Sequence, residues 1–153
     1  MSYRNCRNLT IGSIIIASVA CGTSAQPLVG ASVLSVGGSY PTTVALSQST
    51  CPGITVANAT TTITHATGAT TFTLSHAGND YTGDITTTGD FTTRSKAVSA
   101  GGETHTLTIA GRFTITGFTA TVTAAVTRPA APTTCGYTVS WTGARTSGTN
   151  AIP

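Results

Sequence analysis

The side chains able to hold a metal or move a proton are few in this 153-residue chain: His65, His76 and His105, with Asp80, Asp84, Asp90 and Glu103. Imidazole and carboxylate together suit zinc or another divalent ion, or general acid–base work. His65 shares parity with Ile63, His76 with Phe72 and Leu74, and His105 with Leu107 and Ile109. In extended chain each histidine therefore points to the apolar side, at the end of a strand. If consecutive strands run antiparallel, His65 comes to one end of the sheet and His76 and His105 to the other. Asp80 and Glu103 lie in the turns beside that second end. A three-histidine site is excluded by these directions, and the surviving candidate metal site is His76, His105, Asp80 and Glu103. The plainer reading is that polar residues gather at a barrel mouth because water is there, and no cofactor is expected.

Nucleophilic chemistry has little support. Serines are plentiful, but no Gly-x-Ser-x-Gly occurs and only four carboxylates are present to orient a base. No Gly-rich phosphate loop joins a strand to a helix, and "SVGGS" at 35–39 reads as a turn. The chain is expected not to be an enzyme. Lys96 is the one lysine against six arginines, and with so much Ala, Gly and Thr this looks like a GC-rich bacterial sequence. The sequon Asn58-Ala59-Thr60 is accordingly not read as a glycan acceptor.

The elements that must position these residues begin after residue 25. Arg4 and Arg7 precede an apolar run, "LTIGSIIIASVA", of about 12 residues. A membrane-crossing helix needs roughly 20, whereas a secretory signal needs about this many. Residues 1–25 are expected to be a signal peptide, cleaved after Ala25 at "TSA". The alternative reading is a lipobox, "SVAC", which would leave a lipidated Cys21 as the one link to a membrane. Either way the protein is expected to be exported, periplasmic or extracellular, or else membrane-anchored as a lipoprotein. Cys6 and Cys21 belong to the signal. Cys51 and Cys135 remain in an oxidising compartment with no metal partners at ligand spacing, so they are expected to form a disulfide.

Beyond the signal, Arg94, Lys96, Arg112, Arg128 and Arg145 stand against Asp80, Asp84, Asp90 and Glu103, a net +1. With 7% charged residues in the whole chain and no basic patch, nucleic acid is not an expected partner.

The apolar period is two, not 3.6. In "THTLTIAGRFTI" the apolar places are Leu107, Ile109, Phe113 and Ile115; in "FTATVTAAV" they are Phe118, Ala120, Val122, Ala124 and Val126. Threonine fills the places between, as β propensity favours on a solvated strand face. Strands are expected at residues 40–46, 54–65, 70–76, 81–87, 91–98, 104–115, 118–126 and 136–144. Short turns make neighbours antiparallel. Eight half-buried strands in a meander expose edges unless the sheet closes. The expected fold is an all-β up-and-down barrel at 40–146, with a β-sandwich as the alternative. Residues 26–39 and 147–153 read as flexible termini, with an extra strand conceivable around 28–36. The Thr-x-Thr arrays also suggest an ice-binding ladder, but the strands lack the fixed repeat that a flat ladder requires.

The run from "YTGDITTTGDFTT" through "GRFTITGFTATVTAAVT" to "CGYTVSWTGAR" resembles small exported or lipidated bacterial β-barrel proteins of unknown function. More distantly it is similar to lipocalin-like meander barrels, although their Gly-x-Trp near the first strand has no counterpart, Trp141 being the only tryptophan. The resemblance implies the fold and the compartment. The expected function is a non-catalytic envelope or extracellular barrel acting structurally or by surface binding. The alternatives are a carrier of a small apolar ligand in the barrel interior, and an enzyme using the histidine and carboxylate end.

Overall fold

The computed structural model describes residues 32–129 and 131–153. The signal at 1–25, both cleavage alternatives and Cys21 lie outside the described residues. Nine strands follow one another with no helix among the described residues: β1 (Gly38–Ser49), β2 (Ala59–Thr64), β3 (Thr71–His76), β4 (Asn79–Ile85), β5 (Asp90–Thr93), β6 (Lys96–Ala100), β7 (Glu103–Thr114), β8 (Gly117–Arg128) and β9 (Ala131–Ala144). They form one antiparallel sheet in the order β5-β4-β3-β2-β1-β9-β8-β7-β6, and β5 pairs with β7 as well. The last strand returns to the first, from Thr42↔Gly143 to Ser49↔Tyr137. Eight strands thus close an up-and-down barrel and β6 is the extra one. Closure leaves the threonine face outside and the apolar face inside, which is what the period of two requires.

Parity holds along the β7–β8 hairpin: Phe113, Phe118 and Val122 are buried, while Thr114, Thr116, Thr119, Thr121 and Thr123 face water. Ile115 departs from expectation, being 62% exposed. The ladder ends at Thr114↔Gly117, so Ile115 and Thr116 form the turn and a strand's alternation no longer governs them.

One end of the barrel is filled. Tyr40, Phe72, Phe91, Phe113 and Phe118 interlock there with ring centroids 4.8–6.3 Å apart. The sheet approaches these rings closely at Gly143, where any Cβ would collide with the Phe118 ring. Of the segments expected to be loose, the described residues 32–37 and 147–153 pack over this cluster instead. Leu34, Val36 and Asn150 are buried, and Ser35 bridges Ala151. This bridge is all that the described residues contain of the extra strand considered at 28–36. Arg145 secures the cap by donating to the Gly37 carbonyl, the Tyr40 hydroxyl and Asn150 Oδ1. Asn150 Nδ2 donates in turn to the carbonyls of Thr114 and Gly117.

β1 and β9 run longer than the expected 40–46 and 136–144, and two other expected strands contract or break. Residues 54–58 are not paired, and strand 54–65 contracts to Ala59–Thr64. The expected strand 91–98 breaks at Arg94 and Ser95 into β5 and β6. There the Thr93 hydroxyl accepts the Ile109 amide and Arg94 N–H donates to the Thr82 carbonyl.

Candidate functional site

The end opposite the aromatic plug is hollow. A cavity of about 280 Å³ lies there, walled by aliphatic side chains that include Val44, Val98, Leu107 and Val139. Five rings complete it: His76, Tyr81, His105, Tyr137 and Trp141. Val56, in the loop between β1 and β2, closes over it from the mouth. That loop is clipped at both ends. The Val44 amide donates to Asn58 Oδ1, and Cys51 is bonded to Cys135 at the start of β9, their Cα atoms 5.1 Å apart. The expected disulfide is therefore present, and it ties the mouth loop to the wall.

Each ring reaches the cavity by strand parity. His76 follows Phe72 and Leu74 on the inner face of β3, and Trp141 follows Tyr137 and Val139 on β9. Ala120 lies opposite Trp141 in the ladder and leaves room for the indole. Two strands, β2 and β1, separate β3 from β9, so the His76 and Trp141 rings meet across the lumen, centroids 4.1 Å apart. Burial holds His76 below its ordinary pKa of 6.5, because an imidazolium loses hydration there. Burial raises the Tyr81 and Tyr137 hydroxyls above 10.0, and Tyr81 also feels Tyr137.

The indole N–H of Trp141 is buried and meets no acceptor among the described residues. An unpaired donor of this kind costs on the order of 1–3 kcal/mol.

His76 and His105 do share this end, as strand directions require, and His65 lies at the other, its Nε2–H donating to the Ala69 carbonyl 2.9 Å away. The metal candidate does not assemble. Asp80 alternates with buried Tyr81 and so faces outward, where it accepts from Ser75 Oγ. Glu103 sits at the rim, taking Arg128 Nε at 2.6 Å and facing His105 Nε2 at 3.6 Å. Among the described residues no three His, Cys, Asp or Glu side chains come together as a metal would require. Parity, applied to the turn-flanking Asp80 as it was to the histidines, would have shown this.

Sequence reasoning missed Thr42 and Thr61. Both are buried on the inner face, with Thr42 Oγ1 2.8 Å from Thr61 Oγ1, and Thr61 Oγ1 2.8 Å from His76 Nδ1. Their signal was available: Thr42 falls between Tyr40 and Val44, and Thr61 two before Ile63, on faces that are otherwise apolar.

No family model, no curated protein and no solved structure matches this chain.

Proposed function

We propose that the protein is an exported, non-catalytic barrel that carries a small, mainly apolar molecule in the cavity at its mouth. The observation that carries this reading is the cavity itself: one end of the lumen is packed solid and the other is left hollow, apolar and roofed by a disulfide-clipped loop. Its volume lies just under the ~300–1,000 Å³ range of sites for drug-sized molecules, so the cargo is small. Export is supported by the Cys51–Cys135 bond, which is compatible with an oxidising compartment, and by the signal-like residues 1–25.

Native mass spectrometry of material purified from its own host should show a co-purifying molecule. Calorimetry on stripped protein should show saturable binding of naphthalene. Protein that emerges empty and binds no apolar probe would return the function to its threonine-covered outer surface.

A further inference from the structure

The polar groups of the cavity wall select among apolar molecules, and proton counting along one buried chain of hydrogen bonds tells how. Thr42 Oγ1 lies 2.8 Å from the Tyr40 carbonyl, which can only accept, so the single hydroxyl proton of Thr42 is committed there. Thr61 must then donate across its 2.8 Å contact to Thr42 Oγ1. With that proton used, the 2.8 Å contact between Thr61 Oγ1 and His76 Nδ1 has one solution: His76 donates. The neutral imidazole therefore carries its proton on Nδ1 and a bare lone pair on Nε2. His76 Nε2 makes no hydrogen bond among the described residues, nor is it one of the fully enclosed polar atoms.

The second polar pair on the wall gives the same sign. The Glu103 carboxylate lies 3.6 Å from His105 Nε2 and favours the proton on that nitrogen. Nδ1 then accepts the Tyr137 hydroxyl proton across 3.1 Å, and the Tyr137 oxygen turns its lone pairs elsewhere. Charge does not compete with this pattern. Glu103 is paired with Arg128, and the Lys96 ammonium stands 5.4 Å from the Tyr81 ring, which disfavours a cationic guest. A carboxylate guest would meet lone pairs rather than donors. The Trp141 ring lies against His76 and holds the imidazole in place at the cavity wall.

From this arrangement we infer that the cargo is a neutral, hydroxyl-bearing apolar molecule, of the phenol or small alcohol class, whose O–H donates to His76 Nε2. A hydroxyl is the smallest neutral group that supplies such a donor. The inference rests on the carrier reading above and narrows it.

The test is calorimetry at neutral pH with four probes built on one ring system: naphthol, methoxynaphthalene, naphthalene and naphthoate. Naphthol should bind about tenfold more tightly than methoxynaphthalene, which keeps the oxygen but has no proton to give, because an unmade hydrogen bond to a buried acceptor costs about that factor. Naphthoate should bind most weakly. In His76→Phe the preference for naphthol over methoxynaphthalene should vanish while naphthalene still binds; retained naphthalene binding shows that the variant is folded. Equal affinities for naphthol and methoxynaphthalene, or tightest binding of naphthoate, would overturn the ligand class and leave the carrier reading standing. Failure of every probe to bind would remove the carrier reading and this inference with it.

Discussion

The imidazole of His76 on β3 lies against the indole of Trp141 on β9 across the barrel lumen, ring centroids 4.1 Å apart and planes tilted by 30°. Neither strand is the other's neighbour, so the contact joins opposite walls at the level of the cavity floor.

That contact gives the protein an acid sensitivity. Burial lowers the folded-state pKa of His76 below 6.5, so on acidification the unfolded chain takes up a proton before the folded one does. The stabilisation from keeping His76 neutral is present above pH 6.5 and is lost as pH falls toward the folded pKa. The melting temperature should therefore drop on acidification through that window, and the drop should be shallower in His76→Phe. Trp141, the sole tryptophan, should report the same titration in its emission. On the alkaline side the sign reverses: burial raises Tyr40, Tyr81 and Tyr137, so their contribution is present below pH 10.0 and lost as pH rises beyond it.

Core and surface on the β7–β8 hairpin should separate cleanly in stability. Phe113 is 1% exposed among four other rings, and Phe113→Ala should cost about 3–5 kcal/mol in denaturant unfolding. Thr121→Ser on the outer face should cost well under ~1 kcal/mol, and Ile115→Ala, in the turn, no more than that. Equal shifts for Phe113→Ala and Thr121→Ser would refute the register.

The Cys51–Cys135 bond closes a loop spanning 84 positions. Its removal should lower stability by about 4–5 kcal/mol in the chain-entropy account. Because Cys51 anchors the loop that carries Val56, reduction should also speed the release of bound naphthalene, measured by stopped flow. An unchanged release rate would separate the loop from the site.

Ala77 holds φ at 48° and Gly78 at 76°, the left-handed pair of a two-residue hairpin between β3 and β4. A Cβ in that region is strained, and Asn tolerates it better. Ala77→Asn should raise stability by roughly 0.5–1 kcal/mol in thermal unfolding; a loss of stability would contradict the turn geometry.

Alternation carried most of the fold into the sequence, because a barrel wall has one wet and one dry face along every strand. The break at Arg94 and Ser95 was partly legible, because Phe91 and Thr93 are odd and Val98 even, and one unbroken strand cannot send all three inward; which strand each half would pair with was not. Nor could alternation show where the interior stops being solid. Phe72, Phe91, Phe113 and Phe118 converge at one end only because β3, β5, β7 and β8 present them at matching heights, and those heights come from inter-strand register. Strand direction was enough to bring the histidines of the mouth to one end, whereas nothing in the sequence separates Tyr137 and Trp141, which wall the cavity, from the rings that fill the other end.

The break between β5 and β6 has one more consequence. β4 is laddered to β5 only from Gly83 to Ile85, and β6 pairs with β7 alone, so residues 79–82 and 96–100 face one another without a ladder. Lys96 crosses this seam, its ammonium 2.7 Å from the Asp80 carbonyl. The cylinder is therefore stapled along only part of its length, and its looser stretch flanks the cavity through Tyr81 and Val98. Local opening follows the weakest set of backbone bonds, so hydrogen exchange should begin at the edges of this slit while the amides of β8, laddered on both sides, stay protected longest.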